Sequence, residues 1–592
     1  MASDLHSAWA ALLVHSLAEA GARAFVISPG SRSTPLTLAA ARHPGVRCHS
    51  VIDERAAGFF ALGLARVTGR PAVLVCTSGT APTHYLPALT EAHLVGLPVI
   101  ALSADRPWEA YHCASPQTID QTHLFGDVLR HRAELGAPEA GLLDAVVRVA
   151  SQCVARSLGP EPGPVHLNAR FRKPLEPVVS DEPEPWRGRW QALMRQGPTK
   201  VFQAPPRAHD AGVAWLVKRL EGLTRVWVVC GPSMGVTGRL PVGALAQALG
   251  AVWMAEATSQ QRWSGPEAAP RVDHFDTLLR AEAWLAGRLP ELIIEVGMPA
   301  VSMAYTRFVA QHRPARVVLA PSGWNDPTHD AEALFVGAVA ETLDALVAAL
   351  AGRGASHAGA AELRAWAEAD AVVETALRDA GVDAWGEPEV VATLAARLPE
   401  GAALMVGNSM PVRDLDVFSL GRGGRALQVL HQRGASGIDG LIAGAAGARA
   451  GLEAARPVVL LLGDVSALHD LGGLAVARDA TAPLVVVVVN NGGGRIFAEL
   501  PLGPAAARDA RVAEAVATHF LTPPRLDLSA AGALFGVQFA RVTATEALEA
   551  ALDAALQFQG CTLIEAVVSG EGAAARRRAL VSRVTAALGG AP

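Results

Sequence analysis

The sequence predicts an α/β protein of three blocks, each a mostly parallel sheet flanked by helices. Three observations carry that prediction. From residue 5 onward, amphipathic helical patterns alternate with short apolar runs of strand length. The longest runs are apolar throughout, as strands covered on both faces are. Two composition breaks divide the 592 residues into stretches of similar size.

In the first block the strand candidates are Phe25 to Ser28, Cys48 to Ile52, Ala72 to Cys76 and Pro98 to Leu102, each followed by a small or polar turn and a helix. Phe171 to Trp190, rich in Pro, Glu and Arg and poor in aliphatics, reads as the exit from this block. The second block has strands near Val226 to Val229, Leu292 to Val296 and Val317 to Leu319, and its end is marked by a flexible segment, Gly352 to Gly359. The third contains Pro457 to Leu462 and Pro483 to Val489. The boundaries are therefore 1–190, 191–358 and 359–592. No short repeat period is visible, which argues against a solenoid.

With 51% apolar and 18% charged residues the chain has ample material for large cores. A net charge of −5 argues against a sequence-wide nucleic-acid or membrane-binding surface, so an anionic ligand must be met by local groups. The six cysteines (Cys48, Cys76, Cys113, Cys153, Cys230, Cys561) form no CxxC and read as small core hydrophobes in a reducing compartment. Met1 to His6 lacks a basic region before its apolar residues, and no apolar stretch approaches about 18 residues. A soluble cytoplasmic protein is expected. Arg576-Arg577-Arg578, in an Ala-rich helical pattern, reads as a solvated face.

Gly463-Asp464-Val465-Ser466 closes one apolar run of the third block, and Asn490-Asn491-Gly492-Gly493 closes the next. A carboxylate and a carboxamide at two strand ends, with glycines beside them, suit an oxygen-loving cation and the phosphates it neutralises. The alternative is ordinary Asp and Asn turn chemistry. In the first block, Ser28-Pro29-Gly30-Ser31-Arg32-Ser33-Thr34-Pro35 joins a strand to a helix whose N-terminus can receive an anion, with Arg32 adding a fork suited to a carboxylate. Capping alone, with Arg32 in solvent, is the other reading. Asp53-Glu54-Arg55 opens an apolar helix, placing Glu54 either at the edge of a dry pocket that raises its pKa or simply as a helix-dipole partner. Cys76-Thr77-Ser78-Gly79-Thr80 forms a polar rim at a strand end, while Arg106 and Gln117 are placed to fix a carboxylate and a hydroxyl.

The segments SPGSRSTPL from Ser28, DERAAGFFALGLA from Asp53, CTSGTA from Cys76, SADRP from Ser103 and QTIDQ from Gln117 resemble, in this order, the first domain of the 2-succinyl-5-enolpyruvyl-6-hydroxy-3-cyclohexene-1-carboxylate synthases, a family of thiamine diphosphate enzymes. In the third block GNSMPVRD from Gly407, QRGASGIDG from Gln432, GDVSALHD from Gly463 and the stretch from Asn490 to Pro501 are similar to that family's motifs. Asp464 and Asn491 fall on its diphosphate-metal signature, with Val465 where a second glycine often stands.

The resemblance implies a thiamine diphosphate fold with pyrimidine, middle and diphosphate domains. It implies that Asp464, Asn491 and the Gly493 carbonyl hold Mg²⁺ or Mn²⁺, that Glu54 activates the cofactor, and that Ile438 props its bent form. Thr77, Arg433, Gly434, Ser436, Gly437, Gly463, Val465, Ser466, Ile496, Phe497 and Leu500 would complete the cofactor's surroundings. The implied reaction decarboxylates 2-oxoglutarate and adds the succinyl carbanion equivalent to isochorismate, in menaquinone or phylloquinone biosynthesis. Both substrates are dicarboxylates, so Arg32, Arg106, Arg413 and Arg433 are assigned as cationic partners, with Ser31, Gln117 and Ser409 as neutral donors. In this family the first block of one chain meets the third of another, which implies a homodimer or a tetramer with small-molecule partners, no nucleic acid and no membrane.

The chain departs from the family at Met303, where a basic residue commonly follows the serine, with Arg307 one turn on as the expected compensation. Ala114, Pro116 and Gln432 also replace commoner residues. An acetohydroxyacid synthase or 2-oxoacid decarboxylase would share the cofactor but not need these arginines. A non-catalytic relative would have lost Glu54, Asp464 or Asn491.

Overall fold

Among the residues described by this computed structural model, eighteen strands, all in parallel pairing, form three six-stranded sheets. The structure describes residues 4–178, 184–235, 238–263, 270–351, 357–380, 385–420, 426–570 and 572–589. The first sheet contains β1 (Ala24–Ile27), β2 (Arg47–Ser50), β3 (Ala72–Cys76), β4 (Val99–Asp105), β5 (His131–Leu135) and β6 (Val165–Arg170), in the order β2-β1-β3-β4-β6-β5. The second contains β7 (Val226–Cys230), β8 (Val252–Ala255), β9 (Arg271–Val272), β10 (Leu292–Val296), β11 (Arg316–Ala320) and β12 (Ala333–Val336), in the order β12-β11-β10-β7-β8-β9. The third contains β13 (Ala403–Val406), β14 (Gln428–His431), β15 (Val458–Gly463), β16 (Leu484–Asn490), β17 (Gln538–Val542) and β18 (Cys561–Val567), in the order β14-β13-β15-β16-β18-β17.

The first and third sheets thus share one topology, and its strand order reverses between the first and third strand of each. Ligands of open α/β sheets bind at that reversal, outside the strand carboxyl ends. In the first sheet these ends carry the Ser28–Arg32 and Thr77–Gly79 loops; in the third they carry Gly407–Ser409 and Asp464. Val458 to Gly463 pairs in register with Leu484 to Val489, so the two motif-bearing strands finish side by side.

The chain packs as two compact units. One comprises Met1–Ala204, Gln432–Glu453 and Asp470–Ala480 and holds the first sheet; the other comprises Pro205–His431, Ala454–His469 and Thr481–Pro592 and holds the other two. In the first unit the helix Glu54–Thr68 starts at Asp53, whose carboxylate accepts from Arg55 N at 2.9 Å, and ends at Gly69 with φ +66°. It is buried from Ala56 to Arg66 because its small residues admit the helix Leu441–Gly451 at backbone distance. A Cβ on Gly447 would lie 1.9 Å from Phe60 O, and one on Gly63 would lie 2.0 Å from Gly444 O.

Several expectations are corrected. β2 is an exposed edge strand that ends at Ser50, and Ile52 is 79% exposed. Cys48 and Cys113 are exposed, whereas the other four cysteines are buried; all six are free thiols. The Phe171 to Trp190 stretch leads into a helix, Arg187–Gln196, and its residues 179–183 lie outside those described. Of Gly352 to Gly359, residues 352–356 lie outside the described residues and Gly359 belongs to the helix His357–Ala380. The arginine cluster is not a solvated face: Arg577 pairs with Asp414 and Glu499, and Arg576 with Glu389, leaving Arg578 exposed. Among the described residues no helix is long and apolar enough to cross a membrane.

Candidate active site

In the first unit the β1 and β3 loops press together, since a Cβ on Gly30 would lie 2.3 Å from Thr77 Cβ. Ser33 and Thr34 give their hydroxyl hydrogens to the carbonyls of Gly30 (2.9 Å) and Ser31 (2.7 Å), so they brace the loop instead of capping helix amides. Ser31 is exposed. Arg32 is only 9% exposed, which removes the reading that left it in solvent. Its Nη1 donates to Phe171 O at 2.7 Å, while its Nε is buried with no hydrogen-bond partner among the described residues. Burial, together with the like charge of Arg106 beside it, lowers the Arg32 pKa. Two guanidinium groups held near each other in a partly dry site favour an anion between them.

Arg106 hydrogen-bonds Ser78 Oγ, and Gln117 Nε2 donates to Ser78 O at 3.0 Å, so the three predicted loops converge. Gln117 sits at φ +57° and is exposed. Beneath them lies a buried framework that sequence reasoning missed. Asp105 Oδ1 accepts from Arg106 N at 2.7 Å, its other oxygen pairs with Arg170 at 3.0 Å, and Arg170 Nη1 donates to Arg106 O at 2.8 Å. The Arg170 guanidinium also stacks 3.6 Å from the Trp108 ring centroid. The sequence signal was a charged residue at the end of each of two strands.

Glu54 is half-buried at the first position of its helix. The segment from Gln432 packs within the same unit: Glu91 accepts from Gly434 N at 2.9 Å and from Ala435 N at 2.6 Å, and a Cβ on Gly440 would lie 1.8 Å from Phe59 Cγ. Glu91 is buried, which raises its pKa against those two amides. Ser436 has φ +59°, and Arg433, Gly437 and Ile438 are half-buried on this loop.

In the second unit Asp464, 6% exposed, opens the helix Asp464–His469 directly after β15. Its Oδ1 accepts from Val465 N and its Oδ2 from Gly493 N, both at 2.8 Å. Burial raises its pKa against the amides of Gly493 and Val465. Gly463 and Val465 flank it half-buried, and Ser466 is buried. Gly493, at φ +118°, must be glycine, since a Cβ there would lie 2.0 Å from Leu521 O. Asn490 Nδ2 donates to Glu565 Oε1 at 2.7 Å. Asn491 Nδ2 donates to Glu387, and Asn491 Oδ1 is buried with no partner among the described residues. Burial and the Asp414 carboxylate push Glu387 up to about 7, against the Asn491 hydrogen bond. A buried carboxylate, an orphaned amide oxygen and a main-chain carbonyl are hard oxygen donors, so the residues present fit Mg²⁺ or Mn²⁺. Ile496, Phe497 and Leu500 follow half-buried, with Phe497 edge-on to Phe520 at 5.0 Å.

Ser409, a non-glycine residue at φ +70°, starts the helix Met410–Phe418, and its carbonyl accepts from Arg413 Nη1 at 2.6 Å. Arg413 lines a cavity with Met303, Ser302, Asp276 and Arg280. Arg307 lines a neighbouring cavity of about 810 Å³ and not this one, whose basic residues besides Arg413 are Arg280 and Arg577. Arg280 comes from another element, invisible to one-turn spacing.

The thiamine pyrophosphate enzyme N-terminal TPP binding domain matches residues 8–124, and the C-terminal TPP binding domain matches residues 423–566. The chain is 49% identical to a 2-succinyl-5-enolpyruvyl-6-hydroxy-3-cyclohexene-1-carboxylate synthase from Sorangium cellulosum, covering 100% of this chain and 98% of that one. It is 37% identical to a synthase of the same name from Myxococcus xanthus, over 100% of both chains, and 38% identical to one from Geobacillus kaustophilus, over 90% of both. Identity of this order along the whole length places the chain in the 2-succinyl-5-enolpyruvyl-6-hydroxy-3-cyclohexene-1-carboxylate synthase family of thiamine diphosphate enzymes.

Proposed function

We propose that the protein is a transferase that decarboxylates 2-oxoglutarate and adds the resulting succinyl carbanion equivalent to isochorismate, forming 2-succinyl-5-enolpyruvyl-6-hydroxy-3-cyclohexene-1-carboxylate in menaquinone or phylloquinone biosynthesis. The observation that carries the cofactor assignment is the buried Asn491 Oδ1 without a partner among the described residues, just past the end of the strand that pairs with the one leading into Asp464. Asp464, Asn491 and the Gly493 carbonyl are assigned to Mg²⁺ or Mn²⁺. Glu54, Thr77 and the Arg433 to Ile438 loop, with Gly463, Val465, Ser466, Ile496, Phe497 and Leu500, are assigned to the cofactor. When bound, thiamine diphosphate supplies the electron sink for decarboxylation and carbon–carbon bond formation.

The chain's own groups do the rest. Glu54 holds a proton at the pyrimidine. Arg32, Arg106 and Arg413 bind and orient substrate carboxylates, assisted by Ser31, Gln117 and Ser409. The arginines favour this acceptor over the small uncharged acceptors of other thiamine enzymes. The same reading divides the chain into a pyrimidine domain 1–190, a middle domain 191–358 and a diphosphate and metal domain 359–592, and makes the protein a cytoplasmic homodimer or a tetramer built from it. The test is isochorismate loss in the presence of 2-oxoglutarate, with and without thiamine diphosphate and Mg²⁺. Cofactor-dependent consumption is expected, and none by folded, cofactor-loaded protein would overturn the assignment.

A further inference from the structure

Two adjacent asparagines, the last residue of β16 and the one after it, each give an amide hydrogen to a buried glutamate. They differ in what remains. Asn490 Oδ1 turns back to accept from Gly492 N at 3.4 Å. Asn491 Oδ1 is enclosed and has no partner among the described residues. The residue that faces Asn491, Glu387, is the first of the helix Glu387–Arg397 and is 3% exposed. It lies 104 positions away in the chain, so no local motif announces it.

An amide can flip at little steric cost, because its oxygen and nitrogen are nearly the same size. What fixes the orientation is the partner. Glu387 takes the Asn491 NH₂ on a carboxyl oxygen, and an oxygen that accepts that group has nothing to offer the amide oxygen in its place. The oxygen is thereby turned away from Glu387. Arg495 Nε donates to Asn491 O at 3.1 Å, which holds the main chain of the same residue. The flipped amide would place two N–H donors where a cation needs an oxygen.

We propose that Glu387 is a positioning residue that locks the Asn491 amide with Oδ1 directed at the divalent cation. The proposal rests on the cofactor reading above and adds a partner behind the metal ligand, where such partners orient donors. Its chemistry makes a specific demand. With glutamine at 387 either amide orientation can be satisfied, so the lock is lost although size and shape are kept. With aspartate at 491 there is no orientation to lock, but two carboxylates then face each other. Exchanging both groups restores a donor facing an acceptor and leaves a carboxylate oxygen for the metal.

The test measures Mn²⁺ affinity by electron paramagnetic resonance of the free ion, at saturating thiamine diphosphate, with thermal melts of the metal-free proteins alongside. Glu387→Gln is expected to weaken Mn²⁺ binding by on the order of 10-fold or more. Asn491→Asp alone is expected to melt lower, and Glu387→Gln combined with Asn491→Asp is expected to recover binding to within a few-fold of the parent. Parent affinity in Glu387→Gln, or a combined variant that binds no better than Glu387→Gln, overturns the proposal. If Glu387→Gln fails to fold, the combined variant is compared with the parent instead, and a loss of Mn²⁺ affinity on the order of 10-fold or more in it overturns the proposal. Asp464→Ala separates the two levels of the argument. If it binds Mn²⁺ like the parent, or the parent shows no binding that depends on thiamine diphosphate, the cofactor reading falls and this proposal falls with it.

Discussion

Arg32 and Arg106 show how a protein of negative net charge prepares for anions one residue at a time. Each is partly withdrawn from water and hydrogen-bonded to neutral groups, which leaves charge to offer. Arg106→Met should raise KM for the dicarboxylate substrates by about 10-fold or more, since hydrogen bonds to charged groups contribute about 1.5–3 kcal/mol. Thiamine diphosphate affinity should be unchanged, and steady-state kinetics with a cofactor titration check both. Glu54→Gln should keep cofactor affinity and lose turnover, whereas Asp464→Ala should lose the affinity itself. Parent turnover by Glu54→Gln would remove the activating-acid assignment. Asp470 gives a pH prediction. Burial pushes its carboxyl up to about 7 although it accepts from Ala443 N at 2.9 Å. The folded state therefore keeps a proton that the unfolded chain releases near pH 4, so stability is full below about pH 4 and falls as pH rises towards 7. Asp470→Asn should flatten that decline, by at most about 4 kcal/mol, in urea titrations at pH 5 and pH 8.

At the scale of elements, glycine decides how close two helices come. Gly63, Gly444 and Gly447 let Glu54–Thr68 and Leu441–Gly451 meet main chain to main chain. Gly447→Ala should destabilise the fold by about 1–3 kcal/mol through overpacking, read as a lower melting temperature. The same helices show what periodicity conveys. The helix opened by Asp53 was visible because a charged triplet precedes a long apolar run, but its partner's identity depends on a close approach that no spacing rule encodes. Strands followed the same division. Runs covered on both faces, such as β3, β15 and β16, were read within a residue or so, because every position is apolar. Edge strands such as β5 and β17 carry mixed burial and left no run to find.

At the scale of the whole molecule, the proposed assembly can be tested by complementation. Glu54→Gln and Asp464→Ala chains should each be inactive alone. If the first block of one chain completes the third block of another, co-expressed chains should regain activity, because one site of each mixed dimer then has both groups intact. Activity that stays absent in a mixed dimer isolated with two different affinity tags would refute the shared site. The sequence by itself determined the α/β class and the strands that bear the motifs, because apolar runs and turn residues are local properties, and the resemblance of those motifs to a known family implied the cofactor. Tertiary structure alone decided which charges are solvated and which are paired: Arg577 proved to be the partner of Asp414, and Arg280 and Arg577 line the cavity that Met303 and Arg413 share. It alone joined Glu387 to Asn491. These pairings are made by elements distant in the chain, and burial, which sets their strength, exists only once those elements pack.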